Sequence, residues 1–170
     1  MTLVMRAREV LDLRSVGPGA GAVLDGRAAT VALPPLLLID GEDGAMRLVR
    51  DALDELRLVN PIVCAGDGGT AIAWLGAQLD SGPAPALVVS EARLPDCRGL
   101  EVVRWIRRRS GGDNTHVVVL CESMELDDIT EAYDEGVAAY LAKPVGFDAL
   151  GGVVRDIAAP WALLAGHADP

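Results

Sequence analysis

Ala86-Leu87-Val88-Val89-Ser90-Glu91-Ala92-Arg93-Leu94-Pro95-Asp96-Cys97-Arg98-Gly99 is the stretch whose reading decides the fold. An unbroken apolar run that stops at an acid is the pattern of a short strand buried on both faces. The Pro-rich loop Ser81 to Pro85 leads into it, and Leu100, Val103 and Ile106 behind it fall at helical spacing. The unit is therefore strand, loop, helix, and it recurs in both directions.

Upstream, Leu36-Leu37-Leu38-Ile39 ends at Asp40 and is followed by Met46, Val49, Leu53 and Leu56 at helical spacing. Pro61-Ile62-Val63-Cys64 is the next strand, and Asp67-Gly68 opens a helix running to about Leu79. Downstream, His116 to Leu120 ends at Cys121. Ser123 is read as the N-cap of a helix that Gly136 stops after Glu135. Ala138 to Leu141 is the fifth strand, and Phe147, Leu150, Val154 and Ile157 mark the last helix. Five strands alternating with five helices predict an α/β, doubly wound parallel sheet. In such sheets chemistry collects at the carboxyl ends of the strands. Those ends carry Asp40-Gly41-Glu42-Asp43, Ala65-Gly66, Glu91, Cys121 and Lys143-Pro144.

Composition narrows the function. The 170 residues are 51% hydrophobic, enough for a core, with 15 basic and 25 acidic residues and a net charge of -10. Such acidity disfavours binding to phosphate backbones and anionic membranes, so neither nucleic acid nor membrane is an expected partner. Three cysteines, Cys64, Cys97 and Cys121, without C-x-x-C spacing give no disulfide framework or zinc motif. The apolar runs are too short to span a bilayer, and the expected location is the cytoplasm. Lys143 is the only lysine in the chain, which sets it apart among the cations.

Residues 1–35 break the pattern. Val10, Leu11 and Leu13 are read as a short helical stretch, followed by the Gly/Ala segment Gly17 to Ala22 and by Pro34-Pro35. The expected organisation is a partly flexible extension over 1–35, a main domain over 36–160 and a tail over 161–170.

Taken in order, these strand ends resemble the receiver domain of bacterial response regulators over about residues 36–158. The carriers are the acidic loop at Asp40, Asp67-Gly68, Glu91-x-x-Leu94-Pro95-x-x-x-Gly99, the small residue Cys121, and Tyr140-x-x-Lys143-Pro144. The resemblance implies a flavodoxin-like sheet with strand order 2-1-3-4-5. It also implies an acid pair and an aspartate that hold a divalent metal, the aspartate being phosphorylated by a histidine kinase. A hydroxyl residue and a lysine would contact the phosphoryl group, and an aromatic at Tyr140 would act as the switch. Metal and lysine would stabilise charge in phosphoryl transfer.

The sequence departs from that set at three positions. Asp40 matches the first acid, but Gly41 stands at the second. Glu91 stands at the acceptor position, its carboxylate one methylene farther out, on the order of 1.5 Å. Cys121 replaces the hydroxyl. Glu91 is therefore expected to pair with Lys143 in a fixed state, with Asp40, Glu42 and Glu91 as weak metal candidates. No cofactor is expected; Mg2+ is the one to weigh, and the missing acid weighs against it.

A finer resemblance, carried by Ala132-Tyr133-Asp134-x-Gly136, Phe147 and Trp161, is to the small response regulators that partner bacterial phytochromes. It implies a homodimer through the fourth helix, fifth strand and fifth helix, with Tyr133, Phe147 and Trp161 as interface residues. Pro160 replaces the aromatic that commonly precedes that Trp.

The expected function is thus a stand-alone pseudo-receiver acting by protein contact on a histidine kinase or other signalling protein, and not an enzyme. The alternatives are a receiver still phosphorylated through an atypical metal site, or a small enzyme on the same fold. The simpler readings are that Cys121 is a buried small hydrophobe, that Trp74 and Trp105 pack, and that Arg107 to Arg109 complement a helix dipole.

Overall fold

The computed structural model describes residues 10–12, 33–41, 43–58 and 60–156. In chain order the strands are β1 (Val10–Asp12), β2 (Leu36–Ile39), β3 (Ile62–Ala65), β4 (Leu87–Glu91), β5 (His116–Cys121) and β6 (Ala139–Ala142). The helices are α1 (Asp43–Glu55), α2 (Gly68–Ser81), α3 (Gly99–Arg108), α4 (Leu126–Asp134) and α5 (Phe147–Asp156), with a 3-10 turn at Gly112–Asn114.

Every strand pairs parallel with its neighbours, in the order β1-β3-β2-β4-β5-β6. From β2 onward this is the expected doubly wound order 2-1-3-4-5. Alternate residues serve opposite faces. Leu37, Ile39, Val63, Val88, Val117 and Val119 face α2, α3 and α4. Leu36, Leu38, Cys64, Leu87, Val89, Val118 and Leu120 face α1 and α5, where Val49, Leu53 and Leu150 meet them. Aliphatic residues supply nearly all of this packing. Trp74 and Trp105 lie half-buried against the first cluster, in the packing role expected of them. Among the described residues, no helix is long and apolar enough to cross a membrane.

Two expectations are corrected. Val10 to Asp12 form a strand and not a helix: they pair with Ile62, Val63 and Cys64 and add a sixth strand beside β3. A three-residue stretch with two apolar residues carries too little period to separate the two conformations. The helix expected from Ser123 starts at Leu126, with Glu125 as its N-cap residue.

The arginine run divides its work. Arg107 donates to the carbonyls of Gly112 (2.7 Å), Thr115 (2.9 Å) and Gly136 (2.9 Å), tying α3 to the 3-10 turn and to the end of α4. Arg109 lies 5.1 Å from the Trp105 ring and bonds Asp80 at 2.8 Å. Arg98 and Arg104 add a second tie. Arg104 bonds Glu131 and Glu135, both at 2.6 Å, and Arg98 bonds Glu131 at 2.9 Å, so α4 is ion-paired to α3 and the loop before it. These half-exposed pairs fix orientation more than they add stability.

Candidate functional site

The strand order reverses between β2 and β4, and side chains at their carboxyl ends face a common crevice. Asp40 follows β2 and is buried, its N–H donating to Ala65 O at 3.0 Å. Glu91 ends β4 and is 8% exposed. Lys143 follows β6, its N–H donating to the Cys121 carbonyl at 2.8 Å, so the backbone of β5 sets where the lysine starts.

The Lys143 ammonium donates to Glu91 Oε1, and their side chains are only 16% and 10% exposed. Burial disfavours the ammonium. The Glu91 hydrogen bond and the charges of Glu91, Asp40 and Glu122 outweigh that penalty and hold the Lys143 pKa above its ordinary value. A cavity of about 340 Å³ lies over the pair, lined by Glu91, Cys121, Tyr140 and Lys143 together with Arg93 and Asp128. Four residues singled out from the sequence thus share one cavity, and Asp40 is close enough for its charge to act on Lys143.

Cys121 is buried, with Sγ 3.3 Å from Met124 Sδ and 3.5 Å from the Leu141 carbonyl. Burial pushes its thiol pKa up, although Tyr140 and Lys143 pull the other way. This is a protonated thiol, a weak donor beside the ion pair. Tyr140 is 7% exposed, and burial with the adjacent Cys121 and Asp128 pushes its phenol up to about 12. This aromatic is turned inward. Tyr133 stands on α4 at 49% exposure. Glu42 and Trp161 lie outside the described residues, as does the side chain of Phe147.

Gly41 and Gly99 give the loops their shape. A Cβ on Gly41 would lie 2.8 Å from Pro95 Cγ, so the β4–α3 loop closes over the place where the second acid would project. A Cβ on Gly99 would lie 2.1 Å from the Glu91 carbonyl, so only glycine lets α3 begin against the end of β4. Leu94 N–H bonds Cys97 O and Gly99 N–H bonds Ala92 O, both at 2.9 Å, completing this turn.

One residue of the site went unread in the sequence. Asp96 accepts the N–H groups of Gly68 and Gly69, both at 2.8 Å, joining the β4–α3 loop to the start of α2. Asp67 caps the same helix through Thr70 N–H at 2.7 Å. The available signal was an acid in a loop on the strand-end side of the sheet, but its partner lies 28 residues away. The two backbone bonds, Gly68 first, hold the Asp96 pKa below 3.8. A depressed pKa stabilises the fold above the unfolded value and loses that contribution as pH falls through the folded one. Asp96→Asn is expected to cost about 1 kcal/mol at neutral pH. In urea titrations the gap from wild type should close as pH drops below 3.8. A gap that stays constant well below that pH would remove the carboxylate from this role.

The crevice, its lysine and the Leu-Pro turn after β4 are those of a receiver, and comparison with known proteins agrees. The family model for the response regulator receiver domain matches residues 36–155. The chain belongs to the response regulator receiver family. It is 30% identical over 148 residues to the probable methanogenesis regulatory protein FilR2 of Methanothrix harundinacea, covering 86% of this chain and 93% of that protein. It is also 30% identical to the response regulator Rcp1 of Synechocystis over 75% of this chain and 90% of Rcp1. Among solved structures, the bacteriophytochrome response regulator RtBRR superposes with a TM-score of 0.68 at 30% identity, over 78% of this chain and 82% of that one. AtBRR, a second bacteriophytochrome response regulator, gives 0.66 at 32% identity, over 78% and 97%. This receiver is therefore of the two-component type and similar to phytochrome response regulators. Receiver domains are signalling modules, generally not enzymes.

Proposed function

We infer that this protein is a stand-alone pseudo-receiver, a response regulator that signals by protein contact with its phosphoacceptor pocket fixed in one state. The observation that carries the reading is the Glu91–Lys143 ion pair: the side chain at the acceptor position is already bonded to the cation that would meet a phosphoryl group. A geometric argument points the same way. Displacing a reacting carboxylate by about 1 Å costs on the order of a hundredfold in a positioned reaction.

Among the described residues the donor set does not suit the family's divalent ion. Gly41 offers no carboxylate, Pro95 crowds the position, and Glu91 is engaged by an ammonium. Among the described residues no group of three or more His, Cys, Asp or Glu stands together as a metal site. The pseudo-receiver works without a cofactor and by contact rather than by catalysis. It acts in the cytoplasm as a homodimer through α4, β6 and α5, and its partner is a histidine kinase or another signalling protein; likeness to two bacteriophytochrome response regulators supports a partner of the phytochrome type. Exposed Tyr133 on α4 suits such a contact.

Incubation with acetyl phosphate and magnesium, followed by intact-protein mass spectrometry, tests the pocket. The expected result is no phosphoryl adduct. A stable adduct on Glu91 or Asp40 would mean a receiver that is still phosphorylated. Light scattering tests the assembly: a monomeric mass at high micromolar concentration would remove the homodimer.

A further inference from the structure

The family match begins at residue 36, so β1 lies outside it. Without β1, β3 would be the edge of the sheet. Its sequence is unlike that of an edge. Ile62-Val63-Cys64-Ala65 is apolar throughout, all four residues are buried, and the chain from Leu58 to Gly66 carries no charge. Exposed edges are normally blunted by charges, proline or brevity, because unpaired N–H and C=O groups invite another strand; β3 is short and follows Pro61, but it has no charge. The opposite edge obeys that rule, since β6 runs straight into Lys143-Pro144.

β1 has the charges that β3 lacks. It is three residues long, it ends on Asp12, and Arg8, Glu9 and Arg14 flank it in sequence. Its register places Val10, Leu11 and Asp12 opposite Ile62, Val63 and Cys64. We propose that the outer edge of β3 is a strand-accepting site, filled by the chain's own Val10–Asp12, and that this pairing keeps a second copy from joining the sheet through β3. The guard is separable from the domain it protects: residues 13–35 connect it to β2, and among the described residues its register with β3 spans three residue pairs.

Two variants test this. One lacks residues 2–13. The other keeps the full length and carries Val10→Pro with Leu11→Pro. Successive N–H groups point to opposite sides of a strand, so one of the two prolines removes a donor facing β3 in either phase. Both variants should give a light-scattering mass at least twice that of the full chain at equal concentration. A synthetic peptide of residues 8–14 should return the truncated form to the mass of the full chain. If the truncated form precipitates, the double-proline variant decides alone. Masses equal to that of the full chain in the soluble variants would overturn the proposal. The comparison is relative, so it stands whether the unmodified protein is a monomer or a dimer.

Discussion

Replacing Lys143 with alanine is expected to lower the stability of the domain by about 3 kcal/mol. That is the low end of the cost of breaking a buried pair, because this one keeps some contact with solvent. The loss arises from what remains. Glu91 stays buried at the end of β4, beside the charge of Asp40, with no ammonium to receive. Glu91→Gln should cost less, about 1 kcal/mol, because the amide oxygen can still accept from the Lys143 ammonium and the charges of Asp40 and Glu122 remain beside it. The pH dependence has a definite sign. The raised Lys143 pKa means that its contribution is complete below 10.5 and is lost as pH rises through the folded value. Between pH 5 and 9 the wild type should therefore show no change from this group. Urea titrations across that range give the measurement. Equal stabilities for wild type and Lys143→Ala at neutral pH would show that the pair does not hold the pocket.

Gly99→Ala should have an effect of similar size for a different reason. The added methyl would sit 2.1 Å from the Glu91 carbonyl oxygen and 2.9 Å from Ser90 Oγ. The first of these atoms is main chain at the end of a strand paired on both sides, with β2 and β5. It cannot retreat without disturbing the sheet. A cost of about 3 kcal/mol is expected, at the upper end for overpacking, which corresponds to a fall in Tm of about 10 °C for a domain of this size. The clash also displaces the residue that carries the acceptor-position carboxylate. A thermal melt within a degree or two of wild type would mean that the α3 start does not depend on this contact.

Much of the site was legible because strand ends are legible. Apolar runs that stop at Asp40, Glu91 and Cys121, and a run followed by Lys143, point to the same side of a parallel sheet once the alternation is recognised. The five strands and five helices followed from period and punctuation. What the sequence could not reveal has a common cause, which is partners distant along the chain. Asp96 reaches back to Gly68 and Gly69, and Arg98 and Arg104 reach forward to Glu131 and Glu135. None of these pairs shares a local period. The start of α4 at Leu126 rather than near Ser123 likewise reflects a loop that follows the crevice instead of a capping hydroxyl.

By itself the sequence determined the class of fold, the family, and which residue types stand at the strand ends. Gly at 41, Glu at 91 and Cys at 121 are facts of composition that no folding can alter. Only the tertiary structure decided that the Glu91 carboxylate meets the Lys143 ammonium, that Tyr140 points inward, and that Val10 to Asp12 complete the sheet as a strand. Those outcomes depend on the separation and direction of groups brought together from different crossovers, and such geometry exists only once the sheet has formed.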